Sequence, residues 1–247
     1  MALLRWMRAA RSLPTAGLGR RSARPYPGIA TSTEGADMTG TEDAADAPEQ
    51  VLRRGAAQLA AQHPAMDERS VERIVFDSHA SLARAARSHT HLPPLALRFA
   101  ADRLRAIERG ERRDDDGPLR ILVESIRNDG ISQMAAAYLN ELGEGRVEAL
   151  SAAINPAVEV LRTVADVMEE DRVPLTEQYP KPATEDVARA ADVIVTMLIR
   201  HPFDVLEGQR IESWDFDDPA GLGTDAVRRI RDRVRRRVQE FLDGLDA

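Results

Sequence analysis

The chain has 247 residues, 43% of them apolar and 4% aromatic, with a formal charge of −7 and no cysteine. The apolar share allows one sizeable packed domain or two small ones, which excludes wholesale disorder, and no segment is long enough to span a bilayer. The acidic balance argues against a general nucleic-acid binder, and the missing thiols exclude disulfide scaffolds, zinc–thiolate sites, iron–sulfur clusters and any thiol relay.

Residues 1–48 read as a leader or disordered segment. Six arginines (Arg5, Arg8, Arg11, Arg20, Arg21, Arg24) face only Glu34 and Asp37 in residues 1–37. That composition fits an Arg-rich transit leader, and it fits better an upstream extension of a chain that starts at Met38. No apolar run of secretory length is present, and the expected location is the cytoplasm.

Residues 49–109 are helical throughout. Leu52, Ala56 and Leu59 form a first apolar stripe; Val71, Ile74, Val75, Ser78, Leu82 and Ala85 a second; Leu97, Ala100, Ala101, Leu104 and Ile107 a third. Asp67 is placed to cap the second helix, and Pro93-Pro94 open the third. About 60 residues make a marginal core for a lone monomer, so these helices predict a homodimer. His79, His89 and His91 invite a metal reading, but no further ligand stands at helical spacing to complete a set of three, and neither a metal nor a cofactor is expected.

Residues 110–118, with the acidic run Asp114-Asp115-Asp116, read as a linker. Alternating elements follow in 119–247: strand 119–124, helix 131–142, strand 146–151, helix 155–170, strand 192–197, short strand 210–214 and helix 222–244. Strands spaced by helices predict an α/β domain with a parallel sheet and helices on both faces. In the last helix seven arginines fall between Arg228 and Arg237. Val227, Ile230, Val234, Val238 and Phe241 recur at spacings of three and four beside them, so the stripe reads as the solvated side of an amphipathic helix.

Between Val123 and Gln133 a strand turns through a short polar loop into a helix. A helix N-terminus presents unpaired N–H groups and a partial positive charge, which attract an anion and would acidify a thiol placed there. Through Asn128, Gly130, Ser132 and Gln133 the stretch resembles the phosphate loop of the low-molecular-weight protein tyrosine phosphatase fold, and most closely its actinobacterial arsenate reductase branch. Ile154-Asn155-Pro156, Tyr179-Pro180-Lys181-Pro182, Val193 to Met197 and Trp214 to Pro219 fall where that family has similar strings. The resemblance implies a four-stranded parallel sheet in the order 2-1-3-4. In residues 71–107, His89-Thr90-His91-Leu92-Pro93 above all, the chain also resembles the three-helix dimerisation domain that precedes the phosphatase-like domain in such homologues.

What the resemblance implies for the site is a degenerate centre. Ser125 stands where the family has its nucleophilic cysteine, and Ile131 where it has its arginine. Arg127, Asn128, Asp129, Gly130 and Ser132 form the oxyanion loop, with Asn128 and Ser132 bracketing the nucleophile, and Asp218 matches the proton donor. A serine needs a neighbouring general base, and none is evident in the loop. Losing the clamp at position 131 removes a contribution on the order of 3 kcal/mol. Glu124 and Asp129 add negative charge near an anion, which Arg127 offsets in part. Ser132 reads alternatively as a plain helix cap, and Asp218-Pro219 as a turn. The family's loop after Ser151-Ala152-Ala153 is shortened here, and the segment from Leu198 to Phe203 lacks the family's further thiol.

Three functions follow as expectations. The first is a catalytically inactive relative serving as a dimeric binding or regulatory module for an unknown protein partner, with weak phosphate- or arsenate-type anion binding. The second is residual phosphatase or arsenate reductase activity through Ser125 and Asp218. Nucleic-acid regulation through the C-terminal arginines is the least supported, and no membrane partner is expected.

Overall fold

The computed structural model describes residues 48–84, 92–112, 117–176 and 178–245. The expectations for residues 1–47, His89, His91 and the acidic linker run 114–116 lie outside these.

Three helices come first: α1 Pro48–Gln62, α2 Glu68–Ala83 and α3 Leu92–Arg112. Asp67 caps α2 as expected, its carboxylate accepting the Ser70 N–H at 2.9 Å. The predicted stripes turn inward and bury Leu52, Val71, Val75 and Leu104 in one shared core. Phe99, outside the predicted third stripe, is among the largest side chains in it, and α3 continues past residue 109 to Arg112. Tyr179, from far along the chain, also packs into this core.

The second part runs β1 Leu119–Ser125, α4 Ile131–Leu142, β2 Val147–Ala153, α5 Arg162–Glu170, α6 Glu185–Ala190, β3 Val193–Thr196, β4 Arg210–Ser213 and α7 Thr224–Asp243. The four strands are parallel in the order β2-β1-β3-β4, the order that the resemblance implied. As a central strand, β1 is buried from Ile121 to Ser125, which explains its unbroken apolar run. Ile121 and Val123 face a core shared with α4, α5 and α7. Leu122 and Ile194 face α6 on the other side, where Ala106 of α3 also packs. Full burial of each such side chain contributes about 1.5–3 kcal/mol.

Arg103 of α3 ties the two parts together. Its buried guanidinium meets Asp77 of α2 at 2.7 Å, Ser78 Oγ at 3.0 Å and Asp186 of α6 at 2.8 Å. Arg109 of α3 makes a further ion pair with Glu148 of β2. On α7 the apolar face is buried, and five of the arginines between 228 and 237 pair with Glu170, Asp232, Asp217, Asp171 and Glu212.

Two expectations need correction. The predicted helix 155–170 begins only at Arg162. Pro156 has no N–H to give, and Asn155, Ala157 and Leu161 spend theirs on the carbonyls of Ile126, Arg127 and Asp129, each at 2.9 Å, so the segment runs as a strap beside the polar loop. Helix α6 went unforeseen, because six residues are too few to display a period. Among the described residues no helix is long and apolar enough to cross a membrane.

Candidate functional site

The polar loop of residues 126–130 leaves the C-terminal end of β1 and enters α4. Its carbonyls turn outward to the 154–161 strap, with the Ile154 N–H also reaching Ser125 O at 3.2 Å. Asn128 adopts a left-handed conformation, φ 54°, that its short polar side chain tolerates. That side chain is fully buried and organises the surroundings: Nδ2 donates to Ser132 Oγ at 3.0 Å, while Oδ1 accepts from Gln133 Nε2 and from the Lys181 N–H, both at 3.1 Å. Gln133 continues the network, donating to Tyr179 O at 3.1 Å and accepting from Ser151 Oγ at 3.1 Å. Separations of 18, 46 and 53 residues are thus closed by side-chain amides at one point behind the loop.

Ser125 sits at the start of this loop, nearly buried. Its Oγ lies 2.8 Å from Ser132 Oγ and accepts the Asn128 N–H at 3.0 Å. Among the described residues no carboxylate or imidazole hydrogen-bonds it, so its hydroxyl has no base to take its proton. Ile131, equally buried, brings only aliphatic surface to the position that faces the loop. Ser132 does not cap α4: the N-cap is Gly130, and no side chain closes that helix start. Its hydroxyl is used by Ser125 and Asn128 instead.

A small pocket of about 30 Å³ opens over the loop, lined by Ser125, Arg127, Asp129, Ile131, Met197 and Asp218 among others. Of the sequence-predicted residues, Ser125, Arg127, Asp129, Gly130, Ile131 and Asp218 meet at this pocket, whereas Asn128 and Ser132 lie buried behind it. Asp218 is exposed, and its Oδ1 accepts the Ala220 N–H at 3.0 Å, as an aspartate in a turn does. Pro219 presses on the loop: a Cβ added at Gly130 would stand 2.6 Å from Pro219 Cγ. Arg127 is drawn sideways onto Asp129, Nε to Oδ2 2.7 Å, and that hydrogen bond holds the guanidinium's pKa above its ordinary value. The cation available to offset an anion's repulsion is thus already engaged.

Glu124 does not add charge to this pocket, contrary to expectation. Side chains alternate across a strand, so Glu124 points to the sheet face opposite Ser125. There it is fully buried against His201, Oε2 to Nδ1 2.7 Å. Burial pushes its carboxyl pKa up, and the bond to and charge of His201 oppose that rise. Neither His201 nor Leu198, which lines the pocket with a left-handed φ of 62°, carried a signal in the sequence. His79 lies on α2, and no group of three metal-ligating side chains occurs among the described residues.

Comparison with known proteins agrees with this architecture. The family profile described as "Protein-tyrosine-phosphatase-like, N-terminal domain" matches residues 52–108, and that of the low molecular weight phosphotyrosine protein phosphatases matches residues 121–247. The solved structure of a thioredoxin-dependent arsenate reductase from Corynebacterium glutamicum superposes with a TM-score of 0.72 at 32% identity, covering 80% of this chain and 97% of that one. A Halobacterium salinarum protein provisionally assigned as an arsenate reductase is 32% identical over 123 residues, 48% of this chain and 87% of its own length. Arsenate reductase 1 of Bacillus cereus is 31% identical over 117 residues, 45% of this chain and 85% of that protein. With its sheet order, its loop at the end of β1 and a matching profile over more than half its length, the chain belongs to the low molecular weight phosphotyrosine protein phosphatase family.

Proposed function

We propose that this chain is a catalytically inactive arsenate reductase-like member of its family, working as a dimeric binding or regulatory module. One observation carries the reading: the loop is kept in shape by Asn128, Ser132 and Gln133, while its two chemical positions hold Ser125, without a base, and Ile131, without a charge. Nucleophile and oxyanion clamp act together in related chemistries, so losing both removes catalysis and does not merely slow it. The loop keeps its shape because its amide network closes on Asn128, Ser132 and Gln133, and the Ser125 hydroxyl still accepts the Asn128 N–H. The helices α1–α3 supply the dimer contact in this reading, and the cytoplasm is the expected setting.

The test is turnover of an aryl phosphate, and of arsenate with a thiol donor, compared with the Ser125→Ala protein. Equal background rates are expected, and Ser125→Cys alone should restore little. Hydrolysis or reduction well above the Ser125→Ala control would refute the proposal. A second reading, residual chemistry at Ser125 with Asp218 as acid, draws on their sharing one pocket, and the same assay would reveal it. Light scattering on the full chain tests the dimer, which a monomer at micromolar concentration would rule out.

A further inference from the structure

Seven large apolar side chains are exposed among the described residues, and five of them surround the degenerate loop: Ile126, Ile154, Val158, Leu198 and Leu222. Their neighbourhood follows from the bonds already described. Ile126 and Leu198 line the pocket, the strap bonds carry Ile154 and Val158 alongside the loop, and the Leu222 N–H binds Pro219 O at 3.1 Å. Ile126, Ile154, Val158 and Leu198 are each about half exposed, at 48–52%. Scattered apolar residues need no explanation, but a contiguous group rimmed by polar side chains marks a contact surface. Leu198 adds a sign of constraint, because a leucine rarely adopts a left-handed backbone, and here that conformation sets the side chain at the pocket wall.

Charge selects the occupant. Among the pocket-lining side chains Arg127 is the one cation, engaged by Asp129, and Asp218 is a second carboxylate exposed at the rim. With Arg127 and Asp129 offsetting one another, an anionic or phosphorylated side chain would meet the net negative charge of Asp218 with no clamp at position 131. An isologous contact with a second copy would set an apolar, acidic mouth against another like it, with Asp218 approaching Asp218. An aliphatic side chain beside a basic one satisfies both features. We propose that this mouth docks a segment of a partner protein, laying an aliphatic side chain against Ile126 and Leu198 and an adjacent Lys or Arg against Asp218. The proposal rests on the non-catalytic reading, since it requires the pocket to be free of a reacting anion.

The experiment uses the full chain and four fluorescein-labelled octapeptides on a Gly/Ser background, with Leu-Arg, Leu-Glu, Ser-Arg or phosphotyrosine-Arg at the centre, read by fluorescence anisotropy. The Leu-Arg peptide should bind about tenfold or more tightly than the other three, a difference of the size expected from one complementary charge together with one buried aliphatic group. Leu198→Asp should weaken it at least about fivefold, and Asp218→Asn should abolish the preference for Leu-Arg over Leu-Glu. Both positions are exposed, and thermal melting checks that the variants fold. Strongest binding by the phosphotyrosine peptide, equal binding by all four, or no millimolar binding of the Leu-Arg peptide would overturn the proposal. So would conversion of a dimer to a monomer by Leu198→Asp, which would assign the mouth to a second copy. Turnover by a protein that still prefers Leu-Arg would sink only the non-catalytic reading, whereas absent turnover with absent preference would sink only the docking surface.

Discussion

Asn128→Ala measures how firmly the degenerate loop is held. The asparagine side chain is fully buried and makes three hydrogen bonds of 3.0–3.1 Å to Ser132 Oγ, Gln133 Nε2 and the Lys181 N–H. Truncation removes all three, at about 1 kcal/mol each, and leaves the Lys181 N–H buried without its acceptor, so the loss is roughly 3–5 kcal/mol. Alanine at a φ of 54° adds about 1 kcal/mol of backbone penalty. For a body of some 200 residues, at roughly 2–4 °C per kcal/mol, the melting temperature should fall by about 8–24 °C. Urea and thermal denaturation of the full chain provide the assay. Asn128→Gly loses the same bonds without the left-handed penalty and should melt above the alanine variant. A loss below about 1 kcal/mol for Asn128→Ala would refute the reasoning and shift the support of the loop to the strap's main-chain bonds and the Ser125 hydroxyl.

Gly130→Ala would drive a methyl group into Pro219 and should cost roughly 1–3 kcal/mol by denaturant titration, with Pro219→Ala recovering part of it in the double variant. Arg103→Met strands the Asp186 carboxylate between α3 and α6, and a destabilisation of about 2–4 kcal/mol is expected from thermal unfolding. The raised pKa of Glu124 makes its contribution largest at low pH: the unfolded group ionises first, so stability is lost as pH climbs from about 4.3 through the higher native value. Subtracting the pH–stability curve of Glu124→Gln from that of the parent should isolate a falling slope in that window, and a rising one would contradict the assignment. Phosphate, sulfate and arsenate should bind at millimolar affinity or worse, and Ser125→Cys with Ile131→Arg should tighten this roughly tenfold or more by calorimetric titration. Sub-millimolar binding by the parent chain would show that another residue has replaced the clamp.

The sequence was most legible where one period dominated. The stripes of α1–α3 and α7 and the apolar runs of β1 and β3 fall within a few residues of expectation, because burial on one helix face or both sheet faces leaves a pattern in the residues themselves. The segment 154–161 misled, since Val158, Leu161, Val164 and Val167 continue a helix-like spacing while the backbone N–H groups are claimed from outside. The candidate site divided in a similar way. That Ser125, Asn128, Ser132 and Asp218 would come together followed from a resemblance, whereas the turning of Glu124 onto His201 and of Arg127 onto Asp129 depended on partners 77 and 2 residues away that no local pattern distinguishes. The apolar ring at the mouth was equally hidden, because its members come from four separate loops.

Lys181 is the only lysine in the chain, and it is sealed. Its ammonium lies 4.6 Å from the centre of the Tyr179 ring, near Asp102 and Arg98 of α3, and burial lowers its pKa to about 8. Amine-directed chemistry, whether an acetyl donor, a ubiquitin ligase or a succinimidyl cross-linker, therefore finds no lysine side chain on the closed surface. Modification at residue 181 must wait for α3 to lift away from the Tyr179–Lys181 stretch. The rate of labelling at this single lysine thus becomes a clock for that separation, since such reagents pass over the arginine guanidinium groups.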